Sequence, residues 1–193
     1  MSNTFNHFNV LGPLYENFIE PQPPEGLLEL LNGHKEDWLL DAGGGTGRVS
    51  QFLLDKANHV LVADQSMGMV RQTQTKPGLL ASLSETESLP FPSQQFSTII
   101  MVDALHHVNH QEHTARELWR VLMPGGKIII EEPDIHSFYV KLIAVGEKLA
   151  LMRSHFLSPQ AISALFQQSN AKVTTQTKEH TAWIIIEKTA QVS

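Results

Sequence analysis

Trp38-Leu39-Leu40-Asp41-Ala42-Gly43-Gly44-Gly45-Thr46-Gly47-Arg48-Val49 is the stretch that decides the fold. A short apolar run, read as a buried strand, enters a turn with four glycines in five positions. It leaves into a segment whose Val49, Phe52, Leu53 and Lys56 keep helical spacing. Glycines at such a turn permit positive φ and let a ligand lie against the backbone. Ordering four of them without a ligand would cost chain entropy for no return. A dinucleotide cradle wants G-x-G-x-x-G, but the sixth position counted from Gly43 is Arg48, and from Gly45 it is Ser50. Asp41 also faces the turn, and a carboxylate there favours a cation such as a ligand ammonium and repels a pyrophosphate.

Working outward, the next apolar run, Val60 to Ala63, ends on Asp64, 23 positions beyond Asp41. One strand–helix–strand unit along, an acid at that edge accepts hydrogen bonds from ribose hydroxyls; the plainer reading makes Asp64 or Ser66 the cap of a helix over Met67 to Gln72. Further apolar runs lie at Phe96 to Val102 and Lys127 to Ile130, with a weaker one at Leu79 to Leu83. Helical spacing separates most of them, as in Ala115, Leu118, Trp119 and Leu122, and Glu25 to Leu31 reads as a short helix. Pro124-Gly125-Gly126 reads as the turn into the fifth strand. After a helix from Pro159 to Gln168, Lys172 to Glu179 and Ala182 to Glu187 are read as antiparallel strands. The expected fold class is α/β: a Rossmann-like doubly wound sheet, mostly parallel, with an antiparallel C-terminal strand and helices on both faces.

The 193 residues suit one domain, 1–193, with 1–24 as an N-terminal cap segment and 136–156 as a lid or substrate helix. Hydrophobic residues are 41% and charged residues 18%, as in ordinary globular chains. A net charge of -6 with only 14 Lys and Arg argues against a nucleic-acid partner. No cysteine is present, which excludes disulfides, thiolate zinc sites and a thiol nucleophile. No apolar run reaches the roughly 20 residues that span a bilayer, and no signal pattern opens the chain, so no membrane insertion and a cytoplasmic location are expected.

Five stretches taken together resemble the class I S-adenosylmethionine-dependent methyltransferases, type-11 small-molecule group, which includes ubiquinone/menaquinone biosynthesis C-methyltransferases. Leu39 to Gly47 is similar to the family's first motif, and Asp64-Gln65-Ser66-Met67-Gly68-Met69-Val70 to its D-x-S-x-x-M-L. Ser84-Glu85-Thr86-Glu87-Ser88-Leu89-Pro90-Phe91-Pro92 resembles G-D-A-E-x-L-P-F-P, with Glu85 for Asp. Leu105-His106-His107-Val108 resembles L-H-H-L, and Arg120 to Gly126 resembles R-x-L-K-P-G-G with Met123 for Lys. The likeness covers about half the chain, Asp37 to Pro133.

That resemblance implies S-adenosyl-L-methionine as cofactor, S-adenosyl-L-homocysteine as product, and no metal. Gly43, Gly44 and Gly45 would lie against the methionine part and Asp41 would neutralise its ammonium, directly or through water. Asp64 would take the ribose, Gln65 would lie under the adenine, Met69 would also contact the cofactor, Glu85 would accept from the adenine amino group, and the Thr86 backbone N–H would meet a ring nitrogen. Asp103 would border the methionine end and the substrate mouth. The implied reaction moves a methyl group to a small-molecule acceptor, oxygen or carbon before nitrogen, by in-line displacement.

Such a displacement needs a base only when the acceptor must lose a proton. The candidates are His106, His107 and His155. His106, His110 and His113 share a helical face, but the one acid beside them, Glu112, points elsewhere on a helix and no thiolate is present, so no metal set is completed. Tyr15, Tyr139, Arg153 and Phe156 are candidates for the acceptor pocket. The apolar seam Phe138, Leu142, Val145, Leu149, Met152 would form a lid or a homodimer contact. Rival readings are a non-catalytic S-adenosylmethionine-binding regulatory or assembly protein and an NAD-dependent oxidoreductase. Protein or RNA methylation is disfavoured because Val102-Asp103-Ala104-Leu105 stands where N-P-P-Y would be.

Overall fold

Strand residues of the central sheet alternate between two apolar layers, which is why the runs look continuously hydrophobic in sequence. The computed structural model describes residues 22–31, 33, 35–133 and 155–189. On one face Leu40, Ile99, Met101, Ile128, Ile130, Ile184 and Ile186 form a core with Leu118 and Val121 of a covering helix. On the other, Leu39, Val60, Val62, Ile100 and Ile129 pack with Leu27 and Leu31. A single-register slip would exchange these two sets, so the alternation also locks the pairing.

The strands are β1 (Glu36–Ala42), β2 (Ala57–Asp64), β3 (Leu79–Leu83), β4 (Phe96–Val102), β5 (Leu122–Pro133), β6 (Ala171–Lys178) and β7 (Thr181–Lys188). Described helices are α1 (Glu25–Leu30), α2 (Met67–Thr73), α3 (Gln111–Val121) and α4 (Pro159–Ser163). The sheet order is β3-β2-β1-β4-β5-β7-β6. β1 pairs in parallel with β2 and β4, and β7 is antiparallel to both β5 and β6. The order reverses between β1 and β4, which opens a crevice beyond their carboxyl ends, the usual ligand position in open α/β sheets. A dinucleotide sheet of order 3-2-1-4-5-6 lacks the antiparallel β7 that stands here between β5 and β6.

Three expected elements differ. The helix after the glycine turn is a single 3-10 turn, Ser50–Leu53, because only residues 48–56 separate Gly47 from β2 and the Lys56 carbonyl is already held by the Glu36 N–H at 2.8 Å. The Pro124–Gly126 segment lies inside β5 as a bulge: pairing jumps from Phe96↔Leu122 to Thr98↔Lys127. The helix expected to reach Gln168 stops at Ser163, whose hydroxyl donates back to the Pro159 carbonyl at 2.9 Å. Lys188, only 8% exposed, fastens the terminal hairpin by donating to the Trp119 and Leu122 carbonyls, each at 2.8 Å. Burial pushes its ammonium pKa down.

The N-terminal cap segment 1–24 lies outside the described residues apart from 22–24, as does 136–156 apart from its last two residues. Among the described residues no helix is long and apolar enough to cross a membrane.

Candidate active site

The carboxyl end of β1 delivers Asp41 and then the glycine turn. Asp41 is 1% exposed. Its Oδ2 accepts a 2.6 Å hydrogen bond from the Ser50 hydroxyl, while Oδ1 meets no donor among the described residues. Gly44 passes so close that a Cβ would stand 2.4 Å from the Asp41 carboxyl carbon, so no larger residue fits there. Burial pushes the Asp41 carboxyl up to about 7; Asp64 adds to the rise, while the Ser50 hydroxyl and Arg48 oppose it.

β2 ends on Asp64, which reaches back across the turn. Its Oδ2 accepts from the Gly45 backbone N–H at 3.0 Å and its Oδ1 from the Ser66 N–H at 2.8 Å. Gly45 takes φ +58, the conformation that aims its N–H at that acid. Burial raises the Asp64 pKa and the two backbone donors lower it. The helix cap is Ser66, whose hydroxyl accepts from the Met69 N–H at 3.4 Å. Thr73 then donates to the Gly45 carbonyl at 2.9 Å, tying α2 to the turn.

The segment after β3 supplies the third wall. Thr86 and Glu87 line the cleft, whereas Glu85 is exposed and does not. Glu87 accepts from the Asn109 and His110 N–H groups at 3.1 and 3.3 Å. Arg120 of α3 braces this segment by donating to the Leu89 and Phe91 carbonyls at 3.0 and 2.8 Å. Beyond β4, Asp103 lies at the mouth with φ +49, a left-handed conformation that costs energy in a non-glycine residue.

Next to this cleft, beyond β4 and β5, stands a buried ionisable pair. His106 Nδ1 and Glu132 Oε2 are 2.5 Å apart, at 5% and 4% side-chain exposure. Glu132 Oε1 accepts from the Leu105 N–H at 2.7 Å. The His106 ring is stacked on Phe156 at 4.3 Å and tilted against His107 at 4.0 Å. The His155 N–H donates to the His106 carbonyl at 2.7 Å, and Gln111 donates to the Leu105 and His155 carbonyls. The chain that re-enters at 155 is thus anchored to the end of β4.

The cleft encloses about 200 Å³. Of the expected cofactor residues, Asp41, Gly43, Gly44, Gly45, Asp64, Gln65, Met69, Thr86 and Asp103 line it. His107 lines it as well, while His106 lies buried behind it and His155 is exposed. Tyr15, Tyr139 and Arg153 lie outside the described residues. Sequence reasoning missed Ser50, Glu87, Asn109 and Glu132. A signal existed for Glu132, one of the two acids directly after the apolar run of β5. None existed for Ser50. Among the described residues no three His, Asp or Glu side chains gather as metal ligands.

The residues fit an aminoacyl cation. The buried, unpartnered Asp41 oxygen asks for a donor, the glycine turn leaves room for a backbone-hugging ligand, and Asp64 stands one strand over. The comparisons agree. Residues 40–130 match the family model described as a methyltransferase domain. The ubiquinone/menaquinone biosynthesis C-methyltransferase of Bordetella parapertussis is 33% identical over 102 residues, 49% of this chain and 40% of its own. That of Neisseria meningitidis is 31% identical over 134 residues, 60% and 54% respectively. The matched stretch thus spans about half the length of these relatives. Among solved structures, the Haloferax volcanii protein in complex with the methyltransferase activator Trm112 superposes with TM-score 0.81 at 14% identity, covering 97% of this chain and 100% of that one. An Aquifex aeolicus S-adenosylmethionine-dependent methyltransferase gives 0.67 at 17%, covering 96% and 100%. At such identities the likeness is one of fold. Family model, motif order and sheet topology converge: over residues 40–130 the chain is similar to the methyltransferase-domain family, on a sheet shared with class I S-adenosylmethionine-dependent methyltransferases.

Proposed function

We propose that the protein transfers a methyl group from S-adenosylmethionine to a small-molecule acceptor at an oxygen or carbon atom. The observation that carries this reading is the buried Asp41 oxygen without a donor, on the floor of a glycine-walled cleft at the β1/β4 switch. The cofactor, when bound, supplies a methyl group on a sulfonium that departs as a neutral thioether. Asp41 accepts from the ammonium of that molecule, and Asp64 exchanges part of its backbone bonding for ribose hydroxyls. Thr86 and Gln65 flank the adenine. Glu87, which lines the wall where Glu85 does not, takes the acidic role on that side.

The enzyme's contribution is chiefly alignment and exclusion of water, and alignment alone is worth about 7–11 kcal/mol. His107, on the cleft wall, takes a proton from an acidic hydroxyl or an enolisable carbon. His106, held by Glu132, fixes the neighbouring ring. Phe156 flanks that pair on the acceptor side.

Calorimetry with the full chain tests the reading. S-adenosylhomocysteine binds and raises the melting temperature, and NAD does neither. Stabilisation by NAD, or none by S-adenosylhomocysteine, overturns it.

A further inference from the structure

Asp41 has an unusual donor count for a buried carboxylate. Ionised buried acids are normally matched by a cation or several N–H groups; among the described residues this one has a single hydroxyl, from Ser50. The groups packed around it do not remedy the shortage. From β2 comes Asp64, another acid, with its own two oxygens held by the Gly45 and Ser66 N–H groups. From the turn comes Arg48, half-buried, whose field only partly offsets the burial. β4, the strand on the other side, contains no ionisable residue. The Gly43 and Gly44 N–H groups, which lie closest in the chain, are spent on the Ala63 carbonyl at 2.7 and 3.3 Å.

We propose that Asp41 keeps a proton in the ligand-free protein near neutrality and releases it to solvent when the ammonium end of the cofactor docks, so that filling the cleft and ionising this carboxylate are one event. Ser50 is the positioning residue: by occupying Oδ2 it leaves Oδ1 as the acceptor for the incoming cation. This rests on the cleft being the cofactor site. The carboxyl O–H bond breaks, the proton goes to buffer, and the charge left behind pairs with the ligand's ammonium. No other bond changes.

The test is calorimetric titration of the full chain with S-adenosylhomocysteine, which carries the ammonium without the sulfonium, at pH 7 in buffers of low and high ionisation enthalpy. In wild type Asp41 gives up about 0.5 proton per ligand bound, the fraction held by a group with its midpoint near that pH, less the small uptake by the ligand's own amino group. Asp41→Asn retains only the small uptake by the ligand's own amino group, so the two proteins differ by about half a proton. Ser50→Ala keeps the acid but loses its donor: proton release at pH 7 grows, affinity there falls severalfold, and the deficit narrows at pH 8. A purely structural role for Ser50 would lower affinity equally at both pH values. Binding by wild type with no release, or a Ser50→Ala deficit independent of pH, overturns the proposal while leaving the cofactor site intact. Absence of binding at every pH overturns the site assignment and this inference with it.

Discussion

The carboxyl ends of β1 and β2 and those of β4 and β5 each hold buried ionisable groups, and the two regions treat them oppositely. At β4/β5 every oxygen of Glu132 is answered, by His106 and by the Leu105 N–H. At β1/β2, Asp41 keeps one oxygen unanswered among the described residues and Asp64 rests on two backbone donors that a ligand could share. A satisfied network stiffens a protein, whereas an unsatisfied one stores a penalty that only a ligand relieves. The first region is built to hold still and the second to be completed.

Removing one partner from the satisfied region gives the largest expected effect. Glu132→Ala leaves the Leu105 N–H and the His106 ring buried without their acceptor, and loss of a buried pair costs about 3–5 kcal/mol. Urea unfolding measures it; a cost below 1 kcal/mol would place this pair with the ligand-dependent groups. Next comes Asp64→Ala, which removes the acid proposed to hold the ribose and now bonded to the Gly45 and Ser66 N–H groups. S-adenosylhomocysteine affinity should fall by well over tenfold, about 1.5–3 kcal/mol per bond lost, and unchanged affinity by calorimetry would remove the ribose assignment.

Asp41→Asn acts in the opposite sense on stability. The folded protein holds the Asp41 proton more tightly than the unfolded chain, with the carboxyl raised to about 7 from 3.8. The folded state therefore binds more protons across that window, and this group's contribution to stability is lost as pH rises from about 4 through 7. Relative to wild type, the ligand-free variant should melt several degrees higher at pH 8 than at pH 4, since about 1 kcal/mol shifts a domain of this size by roughly 2–4 °C. A pH-independent difference in melting temperature would show that the region is not under the inferred penalty. Smallest is Lys172→Ala. The ion pair to Glu187 at 2.7 Å is exposed on the sheet edge, and its removal should cost less than about 0.5 kcal/mol. That substitution sets the floor against which the buried acids are judged.

Much of the frame was legible because buried parallel strands write themselves as apolar runs. Phe96 to Val102 and Leu79 to Leu83 match β4 and β3 residue for residue, and the terminal antiparallel pair follows from the runs Lys172 to Glu179 and Ala182 to Glu187, within a residue or two of β6 and β7. The helix after the glycine turn was overread, since helical spacing of Val49, Phe52 and Leu53 says nothing about the short tether to β2. Motif spacing found most of the cleft, including Asp41, Asp64 and the glycines. It favoured Glu85 over Glu87, because a turn's sequence does not say which of two acids faces in.

By itself the sequence determined the alternation of buried strands, the glycine turn with its flanking acids, and the motif order shared with type-11 methyltransferases. These are local properties, set by periodicity and by what a turn's backbone permits. Tertiary structure alone decided that Ser50 would answer one oxygen of Asp41 and no other described residue the second, and that Glu132 would reach His106 across 26 residues. Such pairings depend on which side chains the sheet brings within about 3 Å, and whether a buried polar group is satisfied is settled by that packing rather than by the residue's type.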